Sequence, residues 1–143
     1  MIYMIKAAAE KTRLSVDTLR FYDKEGLLPF VSRNQSGYRA FTDGDLRLLK
    51  TITCLKNTGM KISEIRRYIA YVMQGPSSVP QRQAMLLAHR EAILAEQQRV
   101  LANLKEIDLK LSVYSSPEAV QMITLERAYA KAEKVANGLP DPY

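Results

Sequence analysis

Three sets of residues carry side chains able to do chemistry. Arg20, Tyr22 and Lys24 fall in one short helical pattern, Arg33, Tyr38 and Arg39 flank a polar turn cluster, and Cys54 is the single cysteine. Guanidinium, ammonium and phenol groups donate hydrogen bonds to phosphate oxygens and base edges. On a helical wheel Cys54 lies about 20° from Arg47, about 40° from Lys50 and about 200° from Ile52. Its face is therefore cationic, which makes a thiol more reactive. The competing reading is a small buried filler, a common place for free cysteine. One cysteine excludes an intramolecular disulfide, a four-cysteine zinc site and a cysteine-held iron–sulfur cluster. An enzyme fits poorly, because one Cys, the solitary His89 and no glycine-rich phosphate loop supply no nucleophile–base pair. No cofactor and no metal are expected.

Charge shows where these residues belong. The chain has 143 residues and a net charge of +6. Residues 1–75 hold thirteen Lys/Arg against seven Asp/Glu, and residues 76–143 hold eight of each, so the whole excess lies in the first half. Gln74-Gly75-Pro76-Ser77-Ser78 marks the boundary, since Gly and Pro break helices and Ser favours loops. A basic head with a neutral tail fits a DNA-binding unit joined to a protein-interaction unit. No apolar run approaches the ~18 residues needed to span a bilayer. The N-terminus lacks the pattern of a signal peptide. A soluble, cytoplasmic protein without membrane contact is expected.

The elements that position the head's side chains follow from caps and periodicity. Residues 5–12 read as a short alanine-rich helix. Ser15 caps a second helix from Val16 to about Glu25, which stops at Gly26. Two short helices joined by a tight turn form a helix-turn-helix pattern. The segment from Pro29 to Phe41 reads as a hairpin wing around Asn34-Gln35-Ser36-Gly37. Thr42 caps a third helix to about Thr58, with Leu48, Ile52 and Leu55 facing the core. A fourth runs from about Ile62 to Met73, with Ile65, Ile69 and Val72 at core spacing.

This order of elements, with three runs of residues, resembles the MerR family of bacterial transcription regulators. The runs are residues 18–28 (TLRFYDKEGLL), 37–42 (GYRAFT) and 55–60 (LKNTGM), followed by Glu64-Ile65. The resemblance implies that Arg20 contacts the major groove or its phosphates and that Tyr22 donates to a phosphate. Tyr38 and Arg39 act from the wing, and Lys56 reaches phosphates near the operator centre. The expected DNA-binding set is Ser15, Thr18, Arg20, Tyr22, Arg33, Tyr38, Arg39, Lys56 and Lys61. The chain departs from the family pattern in three places. Phe21, which cannot hydrogen-bond, stands where relatives carry Tyr, so a contact there is lost or replaced by packing. Arg13 stands where Gly is frequent and would be strained at positive φ, and Lys61 stands where a Ser-like cap is usual.

In the tail Val79, Leu86, Ile93, Val100, Ile107 and Tyr114 recur every seven residues, with Leu104 and Leu111 at the intermediate position. This is coiled-coil character. A helix of ~35 residues would be ~50 Å long and needs a partner for its stripe, so a homodimer is expected through Leu86, Ile93, Val100, Leu104, Ile107 and Leu111. The family dimerises through an antiparallel pair of such helices. Ser116 and Pro117 open a last helix to about Ala136, and the end of the chain is expected to fray.

The expected architecture is mainly α. Residues 1–75 form the winged helix-turn-helix domain, 76–114 the antiparallel coiled-coil dimerisation helix, and 115–143 the C-terminal helix and tail. The resemblance implies a homodimer on a pseudo-palindromic promoter operator in double-stranded DNA. It distorts an over-long spacer so that RNA polymerase engages both promoter elements. A lone cysteine two residues before Lys56 also resembles the subgroup that senses aldehydes, electrophiles or nitrosative stress, which makes Cys54 the candidate switch. Two alternatives stay open: a small ligand at the dimer interface with Cys54 only structural, or a coiled-coil interaction protein.

Overall fold

The first turn of chain is set by a pairing distant in sequence. Strand β1 (Ile2–Tyr3) precedes helix α1 (Ile5–Thr12), which stops at Arg13 with φ 57° and ψ 30°. That left-handed residue returns its N–H to Ala9 and Glu10, as a glycine would at a helix end. Helix α2 (Val16–Lys24) starts at Ser15, whose Oγ accepts the Thr18 N–H at 2.9 Å. It ends at Gly26, φ 76°. Strands β2 (Ser32–Arg33) and β3 (Arg39–Thr42) follow. The three strands form an antiparallel sheet in the order β1-β3-β2, with Tyr3 opposite Phe41 and Arg33 opposite Arg39. The sequence reading contained the wing but not β1. Two residues show no alternation, and their partner lies forty positions away.

Helix α3 (Asp43–Asn57) opens with a complete capping box, Thr42 Oγ1 accepting the Asp45 N–H and Asp45 Oδ2 accepting the Thr42 N–H. Its buried face is Leu49, Ile52 and Leu55. Leu49, not Leu48, holds the first core position; of two adjacent leucines only one can point at the same neighbour, and Leu48 is half-exposed. Helix α4 (Ile62–Gln74) buries Ile65, Tyr68 and Ile69, and Lys61 precedes it without a side-chain cap bond. Val72 packs on the core's edge. Leu19, Tyr22, Leu27, Leu28, Val31 and Phe41 complete a core that joins the helices to the wing. Burying side chains of this size contributes about 1.5–3 kcal/mol each before entropy is counted.

A 3-10 turn (Pro76–Ser78) leads into helix α5 (Val79–Tyr114), and helix α6 (Ala119–Ala136) closes the chain. The computed structural model describes residues 1–143 and divides into two compact units, Met1–Ile93 and Leu94–Tyr143. The first unit passes Gly75 because the start of α5 is stitched to the head. Buried Ser78 donates to the Tyr71 carbonyl, and Arg82 reaches Ser78 Oγ at 2.9 Å and the Gly75 carbonyl at 2.8 Å. Arg82 also lies 3.3 Å from the Tyr71 and Val72 carbonyls. One guanidinium thus satisfies the open carbonyls at the end of α4, where a cation also meets the negative end of the helix dipole. Met85 packs on the core and His89 Nε2 lies 2.7 Å from Thr58 Oγ1.

In the second unit α6 begins at Ala119 rather than at Pro117. Ser116 Oγ accepts the Glu118 N–H at 3.2 Å within a turn instead of capping a helix. The last residues are exposed and without regular structure, and a few surface contacts tie them to α6. Leu139 N–H bonds the Lys134 carbonyl at 2.9 Å, Lys131 pairs with Asp141 at 3.3 Å, and Arg127 stacks 5.0 Å from the Tyr143 ring centre. No helix is long and apolar enough to cross a membrane.

Candidate nucleic-acid interface

Helix α2 offers Arg20 to solvent. Its only ionic neighbour is Asp17 at 4.0 Å, with both side chains mostly exposed, a weak pair that leaves the guanidinium free for other partners. Ser15 and Thr18 share a hydroxyl contact of 2.8 Å at the start of the same helix. Lys24 and Lys61 are exposed. Lys56, at the end of α3, sits 5.2 Å from the Phe21 ring centre and 5.3 Å from that of Tyr22. Cation–π contact of this kind holds a flexible lysine in place over α2.

On the wing, Asn34 organises the turn by accepting the Ser36 and Tyr38 N–H groups, each at 3.0 Å. Gly37, φ 83°, supplies the left-handed residue that the turn needs. Tyr38 is thereby presented with 65% of its surface exposed. Arg33 donates to the Gly37 carbonyl at 2.8 Å and lies 3.9 Å from Asp23.

Two expected contacts fall elsewhere. Tyr22 is 1% exposed, and its hydroxyl faces Thr53 Oγ1 at 3.5 Å. It is a core aromatic rather than an open phosphate donor, because the apolar face of α2 that carries Leu19 also carries position 22. Arg39 is committed within the head. Its Nη2 and Nε meet the two Asp23 oxygens at 2.5 and 3.2 Å, and its Nη1 donates to the Val31 carbonyl. This bidentate pair ties the wing to α2. Asp23 is the residue that sequence reasoning missed. The signal was an acidic side chain in the middle of a cationic run, where only an internal partner would keep it.

A second internal tie joins α4 to the end of α2. Arg66 Nε donates to the Glu25 carbonyl at 2.7 Å and Nη2 lies 3.2 Å from Glu25 Oε2. A third joins β1 to α3, Tyr3 donating to Asp43 Oδ1 at 2.9 Å. That bond raises the Tyr3 hydroxyl above its ordinary range and holds the Asp43 carboxyl below its own. Cys54 is exposed on the single chain rather than packed in the core of the head. Its carbonyl accepts the Thr58 hydroxyl at 2.7 Å, which places the cysteine's turn of α3 one hydrogen bond away from His89 on α5.

The head is therefore a set of exposed cations and hydroxyls held by three internal polar ties. Comparison with known proteins agrees with that description. Residues 3–72 match the MerR HTH family regulatory protein family, and residues 46–109 match the family described as MerR, DNA binding. An uncharacterized HTH-type transcriptional regulator of Haemophilus influenzae is 38% identical over 120 residues, 84% of this chain and 89% of that one. A solved structure of HiNmlR, a MerR family regulator lacking the sensor domain, bound to promoter DNA, is 37% identical. It superposes with a TM-score of 0.76 over 85% of this chain and 96% of that chain. A MerR family transcriptional regulator from Bacillus thuringiensis is 38% identical, with a TM-score of 0.73 over 78% of this chain and 98% of its own. With the helix pair, the wing and the matched runs in one continuous order, the chain belongs to the MerR family of transcriptional regulators.

Proposed function

We propose that this protein is a homodimeric regulator that binds a pseudo-palindromic promoter operator, distorts it, and is switched at Cys54. The observation that carries this reading is the separation of two unsatisfied surfaces. The head exposes cations without internal ion-pair partners, Lys24 and Lys61 among them, and Arg20 held only by a loose pair with Asp17, while α5 has no buried residue and exposes Val100, Leu101, Leu104, Ile107 and Leu111. Polyanion and second copy are the complementary partners of those surfaces. Leu86, half of a heptad pair with the half-buried Ile93, continues the stripe toward the head. Two heads related by a two-fold axis would read a two-fold operator. Phosphate contacts at both ends supply the free energy to bend and untwist the spacer between them, so that RNA polymerase engages both promoter elements.

Cys54 is proposed as the switch because it is exposed and because its turn of α3 connects in both directions. Lys56 follows two residues on, and Thr58 links to His89 of α5. An adduct on the thiol would alter the end of α3 and with it the position of Lys56.

Footprinting on DNA flanking the gene tests the reading. A two-fold symmetric protected region with a hypersensitive centre is expected, and a thiol-reactive aldehyde changes the centre without abolishing protection. A salt-insensitive, sequence-indifferent retention of DNA would instead identify an interaction protein.

A further inference from the structure

Arg13 is the one non-glycine residue with positive φ, at 57°, whereas five glycines hold the other such positions. A long β-carbon side chain there is strained, and a strained residue that persists points to use of its side chain. Arg13 lines a recess of about 420 Å³ with Lys11, Thr12, Leu46, Lys50 and Thr53. Three of these six side chains are cations, and none of the three takes part in an ion pair. Asp43, whose carboxylate also feels the Lys11 charge, is occupied by the Tyr3 hydroxyl and by the amino terminus at 3.6 Å. Lys11 is steadied over the Tyr3 ring, 4.8 Å from its centre. Thr12 spends its hydroxyl on the Ala8 carbonyl at 2.7 Å, while Thr53 has only the 3.5 Å contact with Tyr22. The recess thus joins three cations that make no ion pair and one available hydroxyl beside the apolar Leu46.

From these observations we infer that Lys11, Arg13, Lys50 and Thr53 form a phosphate-binding pocket, separate from the recognition helix and the wing. Unpaired cations converging on a concave, partly apolar recess suit a doubly charged tetrahedral anion, for which guanidinium gives the fork and ammonium the point charge. The phosphate has two possible sources. Lys11 to Arg13 are separated by one residue from Ser15, the cap of α2, so a backbone phosphate of DNA docked on α2 is one source. The volume equally suits a small phosphorylated molecule. The DNA source rests on the operator-binding reading above; the pocket itself does not.

The test uses the full chain and two variants, Arg13→Gly and Lys50→Gln. Pyrophosphate is titrated at constant ionic strength by calorimetry, with amide spectra of residues 11–15 and 50–53 as the second readout. Affinity should fall about tenfold in each variant, the loss of one charge-assisted contact. Arg13→Gly should at the same time raise Tm by a few degrees, because glycine accepts the left-handed conformation. Gain of stability with loss of binding separates a site from a folding role. In a parallel salt series on operator DNA, each variant lowers the slope of log K against log salt by about 0.9 per head if the phosphate is the backbone's. An unchanged slope with lost pyrophosphate binding assigns the pocket to a free phosphorylated ligand. Wild-type protein that takes up no pyrophosphate, with variants that keep the full DNA slope, overturns the pocket. Failure of wild-type protein to bind DNA at all would overturn the operator reading and leave the pyrophosphate arm to decide the pocket alone.

Discussion

Asp23 organises the head because two arginines of the wing converge on it. Arg39 meets it through two nitrogens and Arg33 approaches to 3.9 Å. Replacing Asp23 with Asn leaves the Arg39 guanidinium partly buried without its anion, a change that costs a few kcal/mol in comparable settings. The wing should loosen on α2, with a lower urea midpoint and weaker DNA binding despite a more positive head. Arg39→Lys should not rescue the wing, because an ammonium cannot make the two-nitrogen contact. A variant that bound DNA more tightly in proportion to its added charge would show that the tie has no positioning role. Asp43 and Tyr3 make a pH-dependent tie of a different kind. The Asp43 carboxyl is held low, so its contribution is present above the ordinary aspartate range and is lost as pH falls through the folded value. The Tyr3 hydroxyl is raised, so its contribution is present below the ordinary tyrosine range and is lost as pH rises through the folded value. Tyr3→Phe should therefore lower stability across the neutral plateau and flatten both flanks, read as urea midpoints at pH 3, 7 and 10.5. Cys54→Ser should bind the operator normally and abolish the response to a thiol-reactive aldehyde in a promoter-fusion assay. Full induction of that variant would remove the cysteine from the mechanism.

The elements were largely legible because each is fixed by local chemistry. Ser15, Thr42 and Gly26 announce helix ends through groups that satisfy or release backbone bonds within a few residues. The wing was legible from Asn34 to Gly37 for the same reason. What stayed hidden depends on partners far apart in sequence: β1 against β3, Arg39 on Asp23, Arg82 across the end of α4. Tyr22 shows the limit at one residue. Its type allowed both a phosphate donor and a core aromatic, and only the packing of α2 against α3 decided. The start of α6 shows the opposite failure, since Ser116-Pro117 is a valid helix opening used here as a turn. The caps allow a quantitative check. Thr42→Ala removes half of the capping box and should destabilise by about 1–2 kcal/mol. Arg82→Ala leaves several carbonyls of α4 and buried Ser78 without their donor, and should cost at least as much in chemical denaturation. Equal midpoints for Arg82→Ala and wild type would show that water replaces the guanidinium without loss.

At the scale of the whole molecule, charge and apolar surface divide between the two halves of the sequence, and each half demands something the single chain does not hold. The stripe on α5 leaves Val100, Leu101, Leu104, Ile107 and Leu111 between 45% and 55% exposed. Covering the open half of such a side chain is worth about 1 kcal/mol, and a two-fold pairing counts each residue twice. Ten half-covered side chains outweigh the ordering of surface residues on two rigid helices, so the free monomer should be a minor species at micromolar concentration. Placing a carboxylate at the centre of the stripe reverses that balance, because each copy contributes one and a buried unpaired charge costs several kcal/mol. Leu104→Glu should therefore sediment as a folded monomer with an unchanged helical circular dichroism signal from the head. Its operator affinity should collapse toward that of one head alone, and the salt slope should fall by about half, since one head neutralises half the phosphates. Leu87→Glu, at a flanking position closer to the head, should have the smaller effect. Leu104→Glu that remained a dimer with the full salt slope would place the dimer interface somewhere other than this stripe.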